Sequence, residues 1–237
     1  MNDLTPITNT VLANVSDVDP LVAYADAVSP RHIIGKLLRF IKGDYFAGEG
    51  GEPVPVGTKL TVAADELLAG WIKWTDGKPA EHIMVRVADG KLPPKRGELD
   101  DQDRSAWETD DNGEPRDPWQ FTNYLPMMDE RGELYTFTTS SAGGRATVSD
   151  LVRRYGRHRR HHPEVYPVIS LGVGSYPHKK KEYGRIKYPE FIPAGYEPKA
   201  KFLAALEAAG VLVAGVPDDG AALPPPQLDD MSDEVPF

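Results

Sequence analysis

Twenty-two prolines and twenty-two glycines divide this chain into short segments, and that punctuation constrains the fold more than any other feature. Proline fixes φ and removes a backbone donor, while glycine loses the most freedom on ordering, so neither sits well inside a long helix. What lies between them reads mostly as strand. Residues 119–125 and 134–139 are rich in β-branched and aromatic side chains and flank Asp129-Glu130-Arg131-Gly132, which makes them a hairpin. Residues 57–63 alternate polar with apolar, and 70–74 with 83–87 form a second hairpin through Asp76-Gly77. The segments 33–41, 165–173 and 185–192 supply further strands, with glycines 43, 48, 50 and 51 read as a loop. From residue 31 on, helix is confined to one turn over 64–69 stopped by Gly70, a helix from near Val148, with Ser149 as its cap, to about Arg160, and a segment over 198–210 opened by Pro198 and closed by Gly210. The expected fold is mainly β with short helices: a Greek-key β-barrel, OB-fold-like, with a flexible acidic C-terminal tail.

Residues 1–30, broken by Pro6, Pro20 and Pro30, read as an irregular arm with one short helix over 21–28. Residues 31–197 are the barrel domain. Within it, 92–117 is a polar insertion carrying nine acids, with Trp107 placed to pin it to the body. Residues 211–237 are a linker and an acidic tip that follow the short helix.

The chain has no cysteine, which excludes disulfides, thiolate zinc sites and a cysteine nucleophile. The first thirty residues hold no Lys or Arg, and no apolar run is long enough to span a bilayer, so a soluble, cytoplasmic protein is expected. The net charge of −9 argues against a nucleic-acid partner, but its distribution argues for one. Between Arg145 and Lys187 eleven bases face three acids, whereas from Phe202 onward seven acids face no base. Phosphate binding by counterion release needs a local basic patch and not a basic protein.

Aromatic residues are interleaved with that patch. Tyr176 and Tyr183 flank Lys179, Lys180 and Lys181, and Arg185, Lys187 and Tyr188 follow. Bases stack on rings while cations track the backbone, so this pattern suits single-stranded nucleic acid. Trp71 and Trp74, three apart in a strand, point to opposite faces, and with Trp119 they are further stacking candidates. Trp119, Phe121 and Phe137 share a face, with Tyr124 and Tyr135 projecting oppositely. The same rings would equally build a core. Arg153, Arg157 and Arg160 form one stripe on the helix, flanking a groove or simply facing solvent.

Other chemistries find less in the sequence. His158, His161 and His162 lie among arginines that repel cations, so phosphate contact suits them better than metal ligation. Asp100, Asp101, Asp103 and Asp117 could serve a two-metal nuclease, but they fall in a loop. Gly143-Gly144 and Gly172-Val173-Gly174 match no phosphate-cradling motif, and no serine sits in a nucleophile elbow. No enzymatic activity, metal or cofactor is expected.

The chain closes on Asp229-Asp230-Met231-Ser232-Asp233-Glu234-Val235-Pro236-Phe237. These nine residues resemble the acidic tip of bacterial and phage single-stranded DNA-binding proteins, with Val235 where that family has isoleucine. The resemblance covers these nine residues and implies that Asp229, Asp230, Asp233, Glu234, Val235, Pro236 and Phe237 recruit replication, recombination or repair proteins. With the basic patch and its aromatics, the expected function of the body is sequence-independent binding of single-stranded DNA. A terminal phenylalanine can enter an apolar pocket while a partner's Arg or Lys takes its carboxylate. The body is larger than a minimal OB domain, and nothing in the resemblance accounts for the 92–117 insertion, which favours a divergent, phage-type relative. Oligomeric state is left open, a homo-oligomer being compatible with the sequence. The alternatives are a metal-dependent nuclease using the insertion, or an adaptor that binds no DNA and docks through its tip.

Overall fold

The computed structural model describes residues 33–109, 113–177 and 184–210. The arm and its short helix, the tail, Lys179, Lys180, Lys181 and Tyr183 lie outside the described residues. The described chain is mainly β, and its ten strands form one mixed sheet.

The strands are β1 (Lys36–Ile41), β2 (Asp44–Ala47), β3 (Glu52–Val54), β4 (Lys59–Val62), β5 (Leu68–Thr75), β6 (Lys78–Arg86), β7 (Trp119–Asp129), β8 (Leu134–Thr139), β9 (Val165–Pro177) and β10 (Arg185–Pro198). Two helices join them: α1 (Ala142–His158) between β8 and β9, and α2 (Lys199–Ala208) after β10. The strand order is β10-β9-β4-β7-β8-β1-β2-β3, with β5 also on β7 and β6 on β5. Both β4 and β5 pair antiparallel with β7, so they act as one long strand interrupted by a 3-10 turn at Ala64–Glu66. That long strand, β7, β8, a helix, then the β9–β10 hairpin reproduce the connectivity of an OB-type barrel.

Closure is made differently. β1 lies parallel to β8, and the β1–β2 hairpin fills the space between β8 and the β9–β10 pair. The Tyr45 hydroxyl on β2 reaches across to the Gly172 carbonyl on β9, at 2.8 Å. Inside the curl, Leu38, Tyr45, Leu60, Leu125, Phe137 and Leu171 are buried in one cluster, sealed by Val148, Leu151 and Tyr155 of α1. α1 also covers the free edge of β10: the Thr147 hydroxyl donates to the Pro189 carbonyl at 2.6 Å and Arg154 to that of Phe191 at 3.4 Å. Covering an edge strand removes a template for unwanted pairing.

Several local expectations are corrected. The glycine-rich stretch after Ile41 is not a loop but β2 and β3, with its glycines at the turns between them. Gly70 does not end a helix. It lies within β5, where a side chain would strike the Ile83 carbonyl 2.0 Å away, so its bareness permits close approach of β6. The Asp76-Gly77 turn forms as expected, both residues having positive φ as a type I′ hairpin requires. α1 begins six residues earlier than Val148, capped by the Ser141 hydroxyl, which accepts from the Gly144 amide at 3.1 Å. Tyr135 pairs with Met127 and so shares the inner face with Phe137, two residues on, while Tyr124 lies on the opposite face of β7, buried in a second cluster with Leu68 and Ile72.

The 92–117 insertion is strapped to the barrel. Arg96 pairs with Asp117 at 2.7 Å, and Lys73 on β5 pairs with Asp100 and Asp101 at 2.9 and 2.7 Å. The Trp107 ring anchors the insertion internally, its indole donating to the Asp101 carbonyl at 2.8 Å with Arg96 and Arg104 against its face. No helix of the described residues is long and apolar enough to cross a membrane.

Candidate nucleic-acid interface

The β9–β10 hairpin carries the first group of candidate interface residues. Its outer face alternates Gly172, Gly174 and Tyr176 against Glu190, Tyr188 and Ile186. With no side chain at Gly174, the Tyr188 ring lies flat over that strand, where a Cβ would stand 2.1 Å from it. Tyr176 and Tyr188 rings meet at 5.9 Å with a 38° tilt, a half-exposed aromatic ledge. The other end of Tyr188 is fixed by Gly143 of α1, whose own absent side chain would meet the Tyr188 Cβ at 2.7 Å. Sequence reasoning denied Gly143, Gly144 and Gly174 a phosphate motif; their role here is close packing.

Cations border the ledge. Lys187 is exposed, and its alkyl chain crosses Gly43 at the β1–β2 turn. It forms no ion pair among the described residues, so its ammonium is free for a phosphate. Arg185 is exposed but oriented, its guanidinium donating to the Ser175 hydroxyl at 3.0 Å and carbonyl at 2.9 Å. Lys179, Lys180, Lys181 and Tyr183 fall between β9 and β10 in the sequence, outside the described residues.

A second group lies on the other side of the first turn of α1. Trp71 on β5 and Phe121 on β7 are cross-strand partners whose rings meet edge to face at 5.2 Å. The Trp71 indole donates to the Pro94 carbonyl at 2.8 Å, and both rings remain half-exposed. The Arg145 guanidinium stands 5.8 Å from the centre of the Phe121 ring. Burial works against its charge, and it has no carboxylate partner among the described residues.

Trp119 is corrected as a stacking surface. It is 3% exposed, its indole donates to the Asp100 carboxylate at 2.7 Å, and the Lys73 ammonium lies over its ring. The insertion has made it core. Trp74 faces away from Trp71, as expected from the spacing, but neither ring is fully exposed. Trp74 is half-buried against Leu68, Ile72 and Tyr124.

The helix stripe is exposed, but its members differ. Arg153 is spent on Asp150 at 2.6 Å, whereas Arg157 forms no ion pair among the described residues. His158 stacks on Tyr196 at 3.7 Å and on His162 at 4.7 Å, an aromatic pile at the C-terminal end of α1 away from the ledge. The acids proposed as nuclease ligands are otherwise engaged. Asp100 and Asp101 hold Lys73, Asp117 holds Arg96, and Asp103 caps the turn at Ser105. Among the described residues no three His, Asp or Glu converge as a metal site.

No family model, curated protein or solved structure matches this chain.

Four residues gain weight that sequence reasoning did not give them: Tyr188, Phe121, Arg145 and Asn123. The first three were visible as an aromatic beside lysines, a ring on the hairpin face and one cation of the basic segment. Asn123 left one usable signal. It is a polar residue, of a type depleted in strands, on the inner face between Phe121 and Leu125.

Proposed function

We propose that this protein binds single-stranded DNA without sequence preference overall, and that its C-terminal tip, Asp229 to Phe237, recruits replication, recombination or repair proteins. The observation that carries the first part is the Tyr176–Tyr188 ledge on the β9–β10 hairpin, bordered by Lys187 and Arg185, on an OB-type strand order. In such barrels the face of the second and third strands and the loops beside it, including the one between the last two strands, take oligonucleotides. In this sequence Lys179, Lys180 and Lys181 fall between the last two strands. Each base stacked on a ring is worth about 1–3 kcal/mol, and every base has a π-face, so the mode tolerates sequence. The tip's role rests on its resemblance to the family's acidic ends.

Fluorescence anisotropy of labelled oligo-dT, at low and moderate salt with duplex of equal length as control, tests the reading. Tight, salt-sensitive binding that favours the single strand is expected. Absence of binding at low salt, both by the full chain and by a chain lacking residues 229–237, would overturn it.

A further inference from the structure

Two buried polar atoms beside the Trp71–Phe121 pair have no hydrogen-bond partner among the described residues. One is Oδ1 of Asn123, a residue only 6% exposed; the other is Nε of Arg145. A closed circuit of contacts brings these residues to one place. Asn123 is the cross-strand partner of Thr139. Thr139 lies against Gly144, where a Cβ would meet its Oγ1 at 2.0 Å. Arg145 follows Gly144 and leans over Phe121, which stands two residues before Asn123 on the same face of β7.

The two unpaired atoms are complementary in kind. Oδ1 accepts, so it needs a donor from a ligand; Nε donates, so it needs an acceptor. An internal phosphodiester and its deoxyribose offer no N–H or O–H, so the backbone of a DNA strand cannot satisfy Asn123. A nucleobase can, because the Watson–Crick edge of each base sets donors beside acceptors. Leaving buried polar groups unpaired is costly in the free protein, which is a reason to look for a ligand that pairs them.

We infer that Trp71, Phe121, Asn123 and Arg145 form a nucleobase subsite. The base lies against the aromatic pair and presents its polar edge to Asn123 and Arg145. The inference rests on the single-stranded DNA reading above and adds to it one position at which the strand is read by hydrogen bonds. Because the bases space their donors and acceptors differently, this position discriminates among them, in contrast to the Tyr176–Tyr188 ledge.

The test compares wild type with Asn123→Ala, Arg145→Lys and Trp71→Phe on oligo-dT, oligo-dC, oligo-dA and an abasic backbone of equal length, with thermal melts to verify folding. Asn123→Ala and Arg145→Lys are each expected to lose about tenfold or more in affinity for the best homopolymer. On the abasic backbone they should match wild type, since Arg145→Lys keeps the charge. Trp71→Phe should lose the oligonucleotide-dependent part of the tryptophan quench. If wild type binds oligo-dT while folded variants bind every strand as it does, the inference falls and the parent reading stands. Equal losses on the abasic strand would also overturn it, in favour of a backbone contact. If wild type binds nothing, both fall. Should Asn123→Ala not fold, the half-buried Arg145→Lys decides alone by the same criteria.

Discussion

The Tyr45 hydroxyl donates to the Gly172 carbonyl at 2.8 Å, joining β2 to β9 across 127 residues of chain. It is a tie inside the core where the sheet curls on itself, and burial pushes the Tyr45 phenol well above its ordinary range, so it stays a donor at any working pH. Tyr45→Phe removes the donor and leaves the carbonyl short of a partner. A loss of about 1–2 kcal/mol in unfolding free energy is expected from urea denaturation. DNA affinity should not change, because the Tyr45 ring lies inside the core.

Asp65 ties three elements together. It accepts from Tyr155 at 3.1 Å and Arg159 at 2.6 Å, both at the end of α1, and from Lys199 at the start of α2. Burial raises its carboxyl, but the Lys199 and Arg159 donors outweigh that and hold it below the ordinary range. A carboxylate depressed by folding contributes stability above its unfolded value of about 4, and that contribution is lost as pH falls through the folded value. Asp65→Asn should therefore destabilise by about 1–3 kcal/mol near neutrality. The gap between variant and wild type should narrow below about pH 4 in urea midpoints. A gap that is constant with pH would refute the role assigned to the carboxylate.

Lys187, at the border of the tyrosine ledge, forms no ion pair among the described residues. Lys187→Ala is expected to weaken binding to every homopolymer by a similar factor. It should also reduce the slope of log affinity against log salt by about 0.7, the value for one phosphate contact on a single strand. Arg153→Ala, whose guanidinium is held by Asp150, should change the slope less. Titrations at four or five salt concentrations separate the two.

The acidic tip carries charge opposite to the ledge and can compete with DNA for it. Deleting residues 229–237 should tighten binding to oligo-dT at low salt, with the difference fading as salt screens the attraction. Equal affinity at low salt for both chains would show that the tip does not compete.

The strands were legible because a half-buried strand must alternate and a tight turn must use residues that accept positive φ. That is why the 119–139 and 70–87 hairpins and the mainly β class follow from the residues themselves. The long insertion and the basic segment were legible too, since both are matters of composition along the chain. Helix starts were less so. Ser141 and Ser149 are equally good caps in one dimension, and the choice fell to Ser141 because bare Gly143 and Gly144 can approach Tyr188 and Thr139.

Which aromatics face outward was decided only by tertiary structure. Trp119 and Trp71 occupy the same face in neighbouring strands, yet Trp119 is buried because Asp100 and Lys73 close over it. Asn123, Arg145 and Phe121 come together through contacts between β7, β8 and α1, and no spacing within one segment encodes such a meeting. Periodicity and turn chemistry are local constraints that a sequence states directly. Burial and the pairing of polar atoms depend on what the remaining chain brings alongside, and that is fixed only when the sheet has curled and α1 has docked on it.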